Sequence, residues 1–139
     1  TQRIDSFRGD YRFLCNFHLC EIEFEGLTYP SVEHAYQAAK TLDLRVRQIF
    51  TFKEMTPAQA KHLGRTIKSR SNWEQIKENV MKECLRAKFS NPVLREFLNA
   101  TGDIELIEGN DWGDVYWGVC NGRGLNRLGT LLMEVRSEK

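Results

Sequence analysis

Glu33, Tyr36, Gln37 and Lys40 stand at i, i+3, i+4 and i+7 in the segment "SVEHAYQAAK". On a helix that spacing sets the four side chains along one stripe, and each of them can hydrogen-bond. A carboxylate in a first helical turn is stabilised as an anion by the helix dipole. The same turn exposes backbone N–H groups with no partner inside the helix. Lodged in a cleft, such an end offers an acid/base group and an anion site together. A dipole-matching glutamate on a solvated polar face is the plain reading of such a pattern, and spacing alone leaves the catalytic one open beside it. His34 lies one position from Glu33, so the two side chains diverge; it reads as a capping or packing histidine.

A second concentration of unusual residues lies near the C-terminus. The segment "EGNDWGDVYWGVCNGRGLNRLG" holds the pairs Trp112–Gly113 and Trp117–Gly118, with Asn110, Asp111 and Asp114, then Gly122, Gly124, Asn126 and Gly129. Aromatics beside glycines suit a loop whose backbone approaches a flat ligand while a ring stacks on it. A glycine-rich turn with core tryptophans is the other reading. "GRGLN" leading into a helix resembles a short phosphate-cradling turn. It is neither a Walker loop nor a dinucleotide fingerprint after a strand. Cys15, His18 and Cys20 lack the second ligand pair of a zinc site, so no metal is expected. There is no GxSxG elbow, and no local pattern makes one cysteine a nucleophile.

The elements that must position these residues follow from capping signals and periodicity. "EIEFEG" alternates Ile22 and Phe24 with glutamates, a short half-buried strand ended by Gly26. Ser31 is the expected N-cap of the Glu33 helix, in which Val32, Ala35, Ala39 and Leu42 share an apolar face. Thr56, Pro57 and Gln59 form a capping-box start for a helix expected to stop near Gly64. Ser71 with Glu74 is expected to open a long helix carrying Trp73, Ile76, Val80 and Cys84 on one side, and Asn91–Pro92 a shorter one. "IELIEG" and "VYWGVC" read as strands and "LNRLGTLLMEVR" as a closing helix. The expectation is one α+β domain over residues 1–139, compact and predominantly helical with a small sheet.

Bulk properties exclude several classes. The 139 residues carry 20 Lys+Arg against 19 Asp+Glu, so there is no basic footprint for extended nucleic-acid binding, and any anion site must be local. No stretch approaches the roughly 20 apolar residues of a membrane helix, and the first residues contain no signal-peptide core. Thr1, not Met, opens the chain, consistent with an upstream segment lost or trimmed. Cys15, Cys20, Cys84 and Cys120 in a chain of this size read as reduced thiols, which implies a cytoplasmic setting.

Six blocks in order, "FLCNF", "YPSVEHAYQAAK", "PAQAKHLGR", "NWEQIKENVM", "LRAKF" and "NDWGDVYWGVCNGRGLNRLG", closely resemble the NADAR superfamily, named for NAD and ADP-ribose, which includes the YbiA-like N-glycosidases. The resemblance covers nearly the whole chain. It implies a hydrolase of N-glycosidic bonds. YbiA-like members act on ribosylamino-pyrimidine phosphates of the riboflavin pathway, and others remove ADP-ribose from guanine in nucleic acid. The family's essential glutamate falls on Glu33, its important tryptophan on Trp73, and its acidic residue before the Trp-Gly pair on Asp114. Asn16 and Phe17 match an early Ser-Asn-Phe element in which Cys15, a weaker donor, replaces the serine.

The resemblance thus implies Glu33 and Asp114 as catalytic groups. Asn16, Phe17, Tyr36, Gln37, Lys40, Arg65, Trp73, Trp117, Gly118, Gly124 and Asn126 are the substrate-binding set. Within it Trp73 and Trp117 stack on the base or close the pocket, and Lys40, Arg65 and the "GRGLN" turn take phosphate. Asn16 and Asn126 position the ligand. No cofactor or metal is implied. The expected partner is a small ribosyl phosphate or ADP-ribosyl compound, with an ADP-ribosylated nucleic acid left open and no membrane. The competing readings are a module that binds ADP-ribose or an NAD-related nucleotide without cleaving it, and a Trp-Gly loop that meets a protein partner.

Overall fold

The computed structural model describes residues 2–138. In chain order its elements are β1 (Arg3–Ile4), a 3-10 helix (Gly9–Leu14), β2 (Ile22–Phe24), β3 (Leu27–Tyr29), α1 (Val32–Ala38), α2 (Leu44–Ile49), α3 (Pro57–Thr66), α4 (Trp73–Lys88), α5 (Pro92–Ala100), β4 (Glu105–Leu106), β5 (Gly109–Asn110), β6 (Val119–Cys120) and α6 (Arg127–Ser137). Residues 16–88 make one compact unit, and the flanking segments, up to Cys15 and from Phe89 onward, make another. The α+β class and the predominance of helix are as expected. The small sheet is instead three separate two-stranded ladders. No helix of the described residues is long and apolar enough to cross a membrane.

In the unit of residues 16–88, β2 pairs antiparallel with β3, Ile22 opposite Tyr29 and Phe24 opposite Leu27. Glu25 (φ 47°) and Gly26 (φ 89°) fill the two left-handed positions of the tight turn between them, the backbone that matches the strands' twist. Ser31 caps α1 as expected, its Oγ accepting from the His34 N–H at 3.2 Å. At seven residues α1 is too short to stand on helix propensity. Packing against β2, β3, α3 and α4 holds it, and every one of its residues is buried. The Thr56–Gln59 capping box forms in both directions at the start of α3.

Two expectations in this unit need correction. α1 ends at Ala38, so Leu42 lies beyond it and is 70% exposed instead of sharing its apolar face. α3 ends at Thr66, near Gly64 as expected, with Gly64 itself buried inside the helix. α4 opens at Trp73, yet Glu74 completes no capping box with Ser71; its carboxylate pairs with Lys77 at 2.7 Å.

The other unit has two parallel ladders, β1 with β4 and β5 with β6. Asn91 Oδ1 caps α5 by accepting from the N–H groups of Val93 and Leu94. Arg95 on α5 donates to the Val135 and Arg136 carbonyls at 2.8 and 3.1 Å, satisfying the end of α6 that has no intrahelical donors. "VYWGVC" yields strand only at Val119–Cys120. Asp114 Oδ1 accepts from the N–H groups of Tyr116 and Trp117 at 3.1 and 2.9 Å, and this local turn replaces the ladder.

His34 is completely buried, with Nδ1 2.7 Å from Ser31 Oγ and Nε2 2.7 Å from the Met55 carbonyl oxygen. A carbonyl only accepts, so Nε2 carries the proton and Nδ1 accepts from the Ser31 hydroxyl. Burial pushes the pKa of this ring below its ordinary value, partly opposed by the bond to Met55. As pH falls, the unfolded chain takes up this proton before the folded one does. The contribution to stability is therefore whole above pH 6.5 and is lost below it. Thermal melts should show Tm falling as pH drops below that point, and His34→Gln should flatten that stretch of the profile. An unchanged slope in the variant would remove His34 as the cause.

Candidate active site

Glu33 sits on an α1 that has no solvated side. Its carboxylate-bearing side chain belongs to a residue only 8% exposed, and Gln37, one turn on, is 5% exposed. The plain expectation of a glutamate decorating a polar face is thereby overturned. The expected anion site at the start of this helix is absent too. Glu33 donates its N–H to the Asn16 carbonyl at 3.2 Å, while the N–H groups of His34 and Ala35 bond to Ser31 Oγ and Ser31 O. Those amides serve the protein.

The Glu33 side chain is held by its own helix. Gln37 Nε2 donates to Glu33 Oε2 at 2.6 Å, a charge-assisted bond that orients the carboxylate. Gln37 reaches this position because α3 presents a glycine there. A Cβ at position 64 would overlap the Oε1 and Cδ atoms of Gln37. Gln37 Oε1 is buried against that glycine and makes no hydrogen bond. Gly64, expected as a helix stop, is thus a seat for the amide that orients Glu33.

The rest of the stripe gathers beside it. The Tyr36 ring lies 5.1 Å from that of Trp73, tilted by 58°. Lys40 Nζ stands 5.9 Å from the Tyr36 ring centre and 3.5 Å from the Gly64 carbonyl oxygen. Burial lowers the pKa of Lys40 most; Glu33 and Glu74 oppose that shift, and Arg65 and Lys77 add to it. Asn16, whose carbonyl holds Glu33, has its Nδ2 3.6 Å from Met81 Sδ and a buried Oδ1 with no partner. Phe17 follows it, half-buried, and Arg65 is exposed in the last turn of α3. The unit of residues 16–88 therefore brings together Asn16, Glu33, Tyr36, Gln37, Lys40, Arg65 and Trp73, a buried carboxylate beside cations and an aromatic pair.

Asp114, Trp117, Gly118, Gly124 and Asn126 belong to the other unit. Asn110 grips Asp114 twice, accepting from its N–H at 3.0 Å and donating to its carbonyl at 2.9 Å. Trp117 meets Tyr116 edge-on at 4.9 Å. A Cβ on Gly118 would strike the Glu108 carbonyl, and one on Gly124 the carbonyl of Gly118, so both glycines mark backbone pressed on backbone. Four successive N–H groups, at Leu125, Asn126, Arg127 and Leu128, donate to the carbonyls of Val115, Gly118, Tyr116 and Trp117. The phosphate cradle expected at "GRGLN" is therefore not what these amides form. The Asn126 side chain is likewise committed, accepting from the Glu108 N–H and donating to the Leu106 carbonyl, each at 2.9 Å.

Sequence reasoning passed over Gly64 as part of the candidate site. Gly64 resembled a terminator; only the packing of α1 against α3 shows otherwise. None of Cys15, Cys20, Cys84 and Cys120 is in a disulfide, and Cys20 Sγ turns to the His18 carbonyl at 3.6 Å. Among the described residues no group of three or more His, Cys, Asp and Glu is arranged to hold a metal ion.

Residues 5–138 match the model of the NADAR domain family. The N-glycosidase YbiA of Shigella boydii serotype 4 is 42% identical over 137 residues, covering 96% of this chain and 84% of that protein. A riboflavin biosynthesis protein of Vibrio vulnificus is 41% identical over 133 residues, or 93% of this chain and 36% of the relative. The NMR structure of Escherichia coli YbiA superposes with a TM-score of 0.83 at 40% identity, covering 96% of this chain and 81% of that one. These relatives support an N-glycosidase activity.

The Gly64 seat has a thermodynamic signature. Gly64→Ala should cost about 1–3 kcal/mol in urea melts, the usual penalty of overpacking. In a Gln37→Ala background the same change should cost much less, because the atoms it strikes are gone. Additive costs would show that the two residues are not coupled.

Proposed function

The chain belongs to the NADAR domain family, and we propose that it hydrolyses the N-glycosidic bond of a phosphorylated ribosyl compound, with Glu33 as its catalytic carboxylate. The observation that carries this reading is the Glu33 side chain itself, buried, oriented by Gln37 and close to the Lys40 ammonium. Breaking a ribosyl C1′–N bond leaves the bonding pair on the departing nitrogen and positive charge on the sugar. A carboxylate near C1′ stabilises that charge and takes a proton from the attacking water, whose oxygen bonds to C1′. The nitrogen gains a proton as the base leaves.

In this reading Lys40 and Arg65 hold the phosphoryl group, Asn16 and Gln37 set the ligand and the carboxylate, and Phe17, Tyr36 and Trp73 wall the site. Asp114 is the second carboxylate, with Trp117, Gly118, Gly124 and Asn126 shaping its loop. Residues 1–139 act as one functional domain, which the single family model spanning residues 5–138 supports. The names of the riboflavin biosynthesis relatives from Vibrio vulnificus and Zea mays favour a ribosylamino-pyrimidine phosphate as substrate over ADP-ribose attached to guanine.

Wild-type protein and Glu33→Gln should be incubated with ribosylamino-pyrimidine phosphates, NAD, ADP-ribose and ADP-ribosyl-guanosine, and base release followed by chromatography. The wild type should release base from a ribosylamino-pyrimidine phosphate. Glu33→Gln should be slower by about 10²–10⁴-fold while remaining folded. Near-wild-type turnover in that variant would end the assignment. Asp114→Asn keeps an oxygen for the Tyr116 and Trp117 amides, so it should fold normally and lose turnover with an altered pH profile. Full activity in that variant would confine Asp114 to shaping its loop.

A further inference from the structure

α2 is seated by a charged side chain. Of the residues from Leu44 to Ile49 only Arg47 is buried, while Leu44 and Ile49 are 56% and 41% exposed. A helix this short does not hold on propensity, so side chains must fix it in place. Phe50, fully buried, anchors the chain just beyond its end. Within the helix the anchor is a guanidinium.

That guanidinium is bonded on most of its edge. Nε donates to the Thr41 carbonyl and Nη1 to Glu25 Oε1, each at 2.8 Å. Cζ lies 5.9 Å from the centre of the Phe24 ring. One side chain thus ties α2 to the β2–β3 hairpin through its turn and its first strand. Nη2, however, is buried, and no described residue accepts from it. Leaving such a donor unmade inside a protein is costly, more so for a charged group.

A second buried polar atom stands on the same face of the hairpin. Ile22 pairs with Tyr29 and Phe24 with Leu27, so Tyr29 and Phe24 are diagonal neighbours on the side that Arg47 covers. Tyr29 is 1% exposed, and its Oη has no partner among the described residues. Burial pushes the Tyr29 phenol up to about 12, against the pull of Arg47. It therefore stays a neutral hydroxyl that both donates and accepts.

We propose that one internal water joins Arg47 Nη2 to Tyr29 Oη and completes the seat of α2 on the hairpin. Nη2 can only donate, so its partner must accept, and a water does so while bonding the hydroxyl on its other side. Charge favours a neutral occupant over a halide. Glu25 already balances Arg47, and the phenol is uncharged. An added anion would be left with no cation of its own.

Tyr29→Phe separates the cases by sign. With a bridging water the variant loses a hydrogen bond, and Tm should fall by about 3–5 °C. Were Oη merely unsatisfied, its removal would leave Tm unchanged or raised, and the proposal would be overturned. A crystal structure of the wild type should show a water about 2.7–3.2 Å from both Arg47 Nη2 and Tyr29 Oη. Direct contact between the two groups, an empty gap, or anomalous signal there after a bromide soak would each overturn it.

Hydrogen exchange reads the seat itself. Arg47→Met keeps an unbranched stem without donors, and should speed exchange of the amides from Arg47 to Phe50 about tenfold or more while α4 is unchanged. Tyr29→Phe should speed the same amides by less. Unaltered exchange in Arg47→Met would show that α2 is seated by other means. Should that variant fail to fold, the Tyr29→Phe melts and the crystal structure decide. None of these measurements needs turnover, so their outcome is separate from that of the hydrolase assignment.

Discussion

The hydrogen bond from Gln37 to Glu33 is the interaction on which the candidate site depends. It puts an ionisable group in a fixed direction inside a helix with no face to water. A buried carboxylate is costly unless hydrogen-bonded, and here its neighbour one turn away supplies the donor. That donor requires room between α1 and α3, and the missing side chain at Gly64 provides it. Three residues on two helices therefore form one packed unit, although only one of them resembles a catalytic residue.

What was legible in the sequence was local. Ser31, Thr56 and Asn91 announce their helices because a cap needs only residues within three positions, and all three caps form. The six ordered blocks identified the family, and through it Glu33. Features set by distant packing were not legible. The stripe from Glu33 to Lys40 allowed a solvated face because nothing within it records that α3, α4, β2 and β3 enclose α1. Gly64 looks the same in sequence whether it ends a helix or admits a neighbour. Leu42 matched the helical period, but the helix had already ended.

The C-terminal loop shows the same division. Its glycines, asparagines and tryptophans suggested ligand binding by their density, and much of that density has a structural cause. Asn110 and Asn126 bond to backbone, Asp114 turns the chain, and Gly118 and Gly124 let strands of backbone touch. Side chains that satisfy backbone groups locally compete with regular ladders, which is why strands here are two residues long.

The four successive amides from Leu125 to Leu128, all bonded to the segment from Val115 to Gly118, bear on motion. For that segment to swing away, these bonds must break nearly together, so its excursions belong to cooperative opening and not to picosecond loop fluctuation. Trp117 is consequently presented in one place before anything approaches it. A loop already ordered loses little conformational entropy on contact.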